Sequence, residues 1–239
     1  MKASTLTATA LTAAILVMAT GSGAGQGLQF KAEYEDNDDL FGGIDGLNAV
    51  GSVALSPDGT SLYAVGSLED SIAAFSRDPV SGELSFVTAY FDDDSSSPHA
   101  GAVNLGLNST RDVVVSRDSR HVYATGLLDR AVGVFSRVAA TSALTLVEVE
   151  ADPVNLSGAY GIAVSPDDAH VYVASRSADS VTAFSRNSGS GALSFLEAET
   201  NGAGGVTGLN SAVRVRDTVT LTGAEARFVW VRVTRLAGP

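Results

Sequence analysis

Apolar residues recur along the chain in short runs, and the runs repeat in a fixed order. The first of each set, Val53-Ala54-Leu55, Val113-Val114-Val115 or Ile162-Ala163-Val164, is apolar at every position, the pattern of a strand buried on both faces. A turn follows each: Ser56-Pro57-Asp58-Gly59, Ser116-Arg117-Asp118-Ser119 and Ser165-Pro166-Asp167-Asp168. There proline presets φ at the second position, and Asp or Gly suits the later ones. The second run, Leu62-Tyr63-Ala64-Val65 and its copies, and the third, ending at Phe75, Phe135 and Phe184, carry β-branched and aromatic residues at near-alternating positions, as strands do. Each third run leads through Ser-Arg and a polar turn to a closing strand: Leu84-Ser85-Phe86, Leu144-Thr145-Leu146 or Leu193-Ser194-Phe195.

The spacings from Ser to Tyr (7), Tyr to Phe (12) and Phe to Leu (9) are identical in all three copies, which lie 60 and 49 residues apart. Units of this kind bury their apolar faces only by stacking on one another. Four antiparallel strands in about 50 residues, with no helical periodicity, predict the blades of an all-β propeller. The blades fall near 47–86, 107–146 and 156–195 within a repeat region at 25–210, and Leu28-Gln29-Phe30 matches a closing strand at its start. The expected fold is thus a partial propeller of three full blades and an incomplete one.

Residues 1–24 read as a secretory signal peptide: Lys2, an apolar stretch from Leu6 to Ala19, and small residues at Ser22-Gly23-Ala24. The apolar stretch is shorter than the roughly 20 residues that span a bilayer, so the expected location is secreted or periplasmic, with no membrane span after cleavage. With no cysteine, an exported chain must rely on core burial rather than disulfides. A formal net charge of −12 argues against nucleic acid and anionic membranes and leaves a small molecule, a carbohydrate or a protein as partner.

Gly208-Leu209-Asn210 copies Gly46-Leu47-Asn48 and Gly106-Leu107-Asn108, but no further Ser, Tyr and Phe anchors follow it. Residues 211–239, with five arginines, read either as a divergent terminal hairpin or as an aberrant C-terminus such as a shifted reading frame produces. Fewer blades than a closed ring requires would leave apolar edges uncovered and predict association with another copy through them, poor solubility, or a fragment of a longer protein.

The blade sentence, Ser-Pro-Asp-Gly, His-Val-Tyr-Val-Ala, a strand ending Phe-Ser-Arg and Gly-Ala-Leu-Ser-Phe, resembles that of the lactonase-like seven-bladed β-propellers. These include 6-phosphogluconolactonase-type sugar lactonases and YVTN-repeat proteins. The resemblance covers residues 28–210 and implies the fold; its motifs make turns and strands rather than chemistry. It also implies that any hydrolysis would use His, Glu and Arg near a central channel.

His121 and His170 share one repeat slot and are expected to be strand-start residues, as Arg77, Arg137 and Arg186 are expected to be structural. His99, in Ser97-Pro98-His99-Ala100, lies in the longest loop and resembles a Pro-His-Ala segment of lactonases, which makes it the catalytic candidate. Acidic residues fall at corresponding places in three long connections: Asp36, Asp38 and Asp39 with Glu33 and Glu35; Asp92, Asp93 and Asp94; and Asp152 with Glu148 and Glu150. Of these, Asp36, Asp38, Asp39, Asp92, Asp93, Asp94 and Asp152 are the candidate ligands for Ca²⁺, a hard cation that takes six to eight oxygens. No nucleophile elbow, P-loop, dinucleotide fingerprint or zinc motif occurs. Two functions remain in view: a binding module with an acidic loop face, and a sugar-lactone hydrolase.

Overall fold

The structure, a computed structural model, describes residues 44–92 and 103–211. The expected signal peptide, the strand at 28–30 and the tail after Ser211 lie outside the described residues. Twelve strands form three four-stranded antiparallel sheets. Blade 1 consists of β1 (Val50–Leu55), β2 (Ser61–Gly66), β3 (Ser71–Arg77) and β4 (Leu84–Phe91). Blade 2 holds β5 (Thr110–Val115), β6 (His121–Gly126), β7 (Ala131–Arg137) and β8 (Leu144–Ala151), and blade 3 holds β9 (Ala159–Val164), β10 (His170–Ser175), β11 (Ser180–Arg186) and β12 (Leu193–Thr200). Each sheet runs in sequence order from inner to outer strand, and β1, β5 and β9 lie side by side. The expected all-β blades are there.

The turns explain why one sentence yields one hairpin. In each, the residue at the fourth position donates its N–H to the serine carbonyl: Gly59 to Ser56, Ser119 to Ser116 and Asp168 to Ser165, at 2.8, 2.9 and 2.9 Å. That residue takes a left-handed φ of 73°, 60° and 62°, a region open to Gly and tolerated by Asp. The serine hydroxyl meanwhile donates to the Asp side chain two residues on, which pins the turn from within.

Two expectations on strand burial change. The first strands are not buried on both faces; β2 and β6 are, at every position, β6 because it lies between blades 1 and 3 and β2 because blade 2 covers one face while Leu47 and residues of its own blade cover the other. β5 and β9 bury one alternating face, while β1 exposes the same slots, Val53 and Leu55. The outer strands also run longer than their apolar starts suggest, eight residues each, so Glu148 and Glu150 belong to β8 rather than to a loop. Half-exposed on both sides and broken by a bulge before their midpoint, these strands carry no clean alternation to read.

Packing between blades supplies the core. Tyr63, Val65 and Ile72 of blade 1 pack on Val113, Val122 and Phe135 of blade 2; Tyr123, Val132 and Val134 pack likewise on Ile162, Val171 and Phe184. Each fully buried side chain of this size contributes about 2 kcal/mol from apolar transfer. A polar clamp fixes the register of each junction. Arg137 reaches back to the turn of blade 1, with Nη1 2.7 Å from Asp58, Nη2 2.6 Å from Thr60 Oγ1 and Nε 3.0 Å from Ser61 Oγ. Arg186 repeats this on blade 2, meeting Asp118 at 2.8 Å, the Tyr123 hydroxyl at 2.8 Å and His121 Nδ1 at 2.8 Å. The tyrosines complete the pattern by donating to carbonyls of the next blade, Tyr63 to Ser142 and Tyr123 to Gly191, both at 2.9 Å. Burial opposes ionisation of Asp58 and Asp118, yet their serine and arginine hydrogen bonds outweigh it and hold both carboxyls low, Asp118 at about 2.

Candidate functional site

Each inner strand breaks its ladder at one slot. Pairing of β1 with β2 skips Gly51, pairing of β5 with β6 skips Arg111 and Asp112, and pairing of β9 with β10 skips Tyr160. Gly51, Arg111 and Tyr160 are equivalent positions of the three copies, 60 and 49 residues apart. A bulge frees a residue from the pleat and re-aims its side chain, which is why bulges gather next to binding sites.

Here the freed residues meet. The Arg111 guanidinium carbon lies 5.9 Å from the centre of the Tyr160 ring, a cation–π contact, and Arg111 Nη2 donates to Ser109 Oγ at 2.8 Å. Arg111 Nε is covered and has no hydrogen-bond partner. Beneath them Asp112 ties the three strands together: its Oδ1 accepts from Ser52 Oγ of β1 at 2.7 Å and its Oδ2 from the Ile162 amide of β9 at 3.1 Å. Thr125 Oγ1 accepts the Asp112 N–H at 3.1 Å and donates to the Tyr160 carbonyl at 3.1 Å. Asp112 is therefore a brace, and Arg111 with Tyr160 is the part that can meet a ligand: a cation beside an aromatic face, suited to an anionic or oxygen-rich molecule. Sequence reading passed over Ser52, Arg111, Asp112 and Tyr160. The available signal was the slot at which otherwise matching copies carry Gly, Arg and Tyr.

The acidic residues act differently. Asp92, Asp152 and Asn201 occupy one slot, each donating its amide to the turn between second and third strands, at Asp70, Arg130 and Asp179. Their side chains start the connection to the next blade. Asp92, 1% exposed, accepts the amides of Leu105 and Leu107; Asp152 accepts those of Val154 and Asn155 at 2.9 Å. Each connection then carries a leucine inward, Leu107 and Leu156. Amide bonds from Asn155 and Val154 lower the Asp152 pKa against the opposing effect of burial. Asp129 goes the other way, pushed up to about 6 by burial, a hydrogen bond with Asp92 and the charges of Asp92 and Asp70. Asp36, Asp38, Asp39, Asp93, Asp94 and His99 lie outside the described residues. Among the described residues no group of three or more His, Asp or Glu is placed to hold a metal ion, so the calcium expectation rests on the others.

His121 and His170 begin β6 and β10, at the opposite end of the blades from the bulge slot. Burial and the Arg186 charge lower the pKa of His121 and favour its neutral form.

No curated protein sequence matches the chain. Among solved structures it resembles a proposed 6-phosphogluconolactonase from Bacteroides uniformis ATCC 8492, at 20% identity over 66% of this chain and 42% of that one, TM-score 0.53. The Pseudomonas aeruginosa periplasmic gluconolactonase is similar at 22% identity over 61% of this chain and 38% of that one, TM-score 0.51. The chain thus spans about two fifths of the length of these structures, and at such identity the likeness shows the fold. Residues 106–205, blade 2 through the end of blade 3, match the family model for the lactonase, 7-bladed beta-propeller. With the repeated blade sentence and three stacked four-stranded sheets, this match makes blades 2 and 3 similar to the lactonase-like β-propellers and supports the propeller fold.

Proposed function

We propose that the chain is an exported binding module that takes an anionic, hydroxyl-rich small molecule, of the sugar-acid class, at the inner-strand edge beside Arg111 and Tyr160. The observation that carries this reading is the coincidence of three bulges at one slot, which brings a guanidinium with spare donors against an aromatic ring. A guanidinium supplies charge-assisted bonds to carboxylate or phosphate, and a tyrosine ring suits a sugar face. Export follows from the signal-peptide pattern of residues 1–24. The acidic connections shape the same end of the blades, where Asp92 and Asp152 hold loops in place. Calorimetric titration with gluconate and 6-phosphogluconate tests the reading: binding by the full chain, lost at least tenfold in Arg111→Ala, is expected. Absence of binding to either ligand sinks it.

A second reading, sugar-lactone hydrolysis, is favoured by the gluconolactonase names of the structural neighbours. On this reading His99 and the acidic residues activate water, and the acidic residues would hold a Ca²⁺ that assists it. Turnover of a gluconolactone, measured with and without Ca²⁺, separates the two: hydrolysis abolished by His99→Ala makes the protein an enzyme, and no turnover leaves the binding reading alone.

A further inference from the structure

The clamp between blades is built twice and left half-built twice. Arg77 occupies the slot of Arg137 and Arg186, but among the described residues no carboxylate meets it; Nη1 donates to Gly59 O at 2.9 Å within its own blade, and the covered Nε has no partner. Beside it Val53 and Leu55 are 47% and 53% exposed, whereas their equivalents Val113 and Val115 are 5% and 7% exposed against blade 1. On the far side, Asp167 stands in the slot of Asp58 and Asp118. It accepts from Ser165 Oγ and the Ala169 amide, with no arginine reaching it among the described residues. His170, equivalent to His121 that lies buried under Gly191 of the following blade, is half-buried only. Leu62, Phe75 and Leu84 elsewhere on blade 1 are already buried, so what stands open is the inner corner beside the Ser-x-Asp turn.

We infer that two copies of the chain join head to tail, the Ser165-Pro166-Asp167 turn of one docking on Arg77, Val53 and Leu55 of the other. The two corners are complementary in charge and are the two halves of a junction the chain already makes at Asp58–Arg137 and Asp118–Arg186. A contact between unlike surfaces either closes into a ring or runs on as a filament. The three described blades of each of two copies give six, inside the range of about four to eight at which propellers close, so a pair suffices to close the contact.

Light scattering of the full chain after size exclusion, across a concentration series, tests this. A mass of two chains is expected, with Arg77→Asp and Asp167→Arg each weakening association about tenfold or more. Mixed in equal amounts, the two variants should regain the dimer, because each junction of the mixed pair again joins opposite charges. Unchanged far-UV circular dichroism of each variant shows that the β-sheets of the blades stay folded. A wild-type chain that stays monomeric, a dimer indifferent to both substitutions, a mixture that fails to re-associate, or a ladder of longer species would each overturn the inference.

Discussion

Blades 1 and 2 carry the same repeat, yet one slot of their inner strands behaves oppositely: Val113 is buried and Val53 is half exposed. The arginines differ in the same way, Arg137 bonded to Asp58, Thr60 and Ser61 of its neighbour and Arg77 to a carbonyl of its own blade. Local sequence dictates strand and turn, but burial and ion pairing come from the blade alongside. In a repeat protein the energetic weight of a residue is thus a property of its junction.

The sharpest way to break this contrast is to truncate the two arginines. Arg137→Ala should cost about 3 kcal/mol, since it empties a buried guanidinium site and leaves the Ser61 and Thr60 hydroxyls without their donor, the solvent-screened Asp58 carboxylate adding little, whereas Arg77→Ala should cost less than about 1 kcal/mol; urea unfolding of both variants checks the gap. Acid should erode the intact clamps. The Asp58 and Asp118 carboxyls are lowered in the folded state, so their contribution is complete above the ordinary value of 3.8 and is lost as pH falls below it, for Asp118 toward about 2 and for Asp58 lower still. Next in size, Ile162→Ala at the blade 2–blade 3 junction should lose about 2–3 kcal/mol, and Val53→Ala at the equivalent open slot no more than about 0.5. Equal losses at the two slots would erase the comparison.

The smallest effect concerns the carboxylates at the start of the connection into blade 2. Asp129 has a folded pKa raised from 3.8 to about 6, so the stability it contributes is highest in acid and declines as pH rises between those values. Asp129→Asn keeps an acceptor for the Asn108 amide and removes the charge. The variant should match the wild type near pH 4 and exceed it by on the order of 1 kcal/mol at pH 7, after allowance for solvent screening. Thermal melts at both pH values check the sign.

The blades were legible because the Ser, Tyr, Phe and Leu of each copy do repeating jobs: turn lock, interblade donor and core anchors. The outer strands were underread, since half-exposed faces and a bulge blur their period. Arg111, Asp112 and Tyr160 escaped for the opposite reason. Agreement between copies is what marks a repeat, and these residues stand where the copies disagree: Gly51, Arg111 and Tyr160 in one slot, Ser52, Asp112 and Gly161 in the next. The repeated arginines could be recognised as structural from their slots, but that each grips the turn of the preceding blade follows only from the stacking of the sheets.

The bulge slot has an evolutionary consequence. A residue held outside the ladder contributes little to cohesion, so its replacement leaves the surrounding architecture intact. The chain already tolerates hydrogen, guanidinium and phenol there in successive copies. Such a position lets recognition diversify while foldability is conserved, and it offers the natural starting point for retargeting this surface by directed mutagenesis.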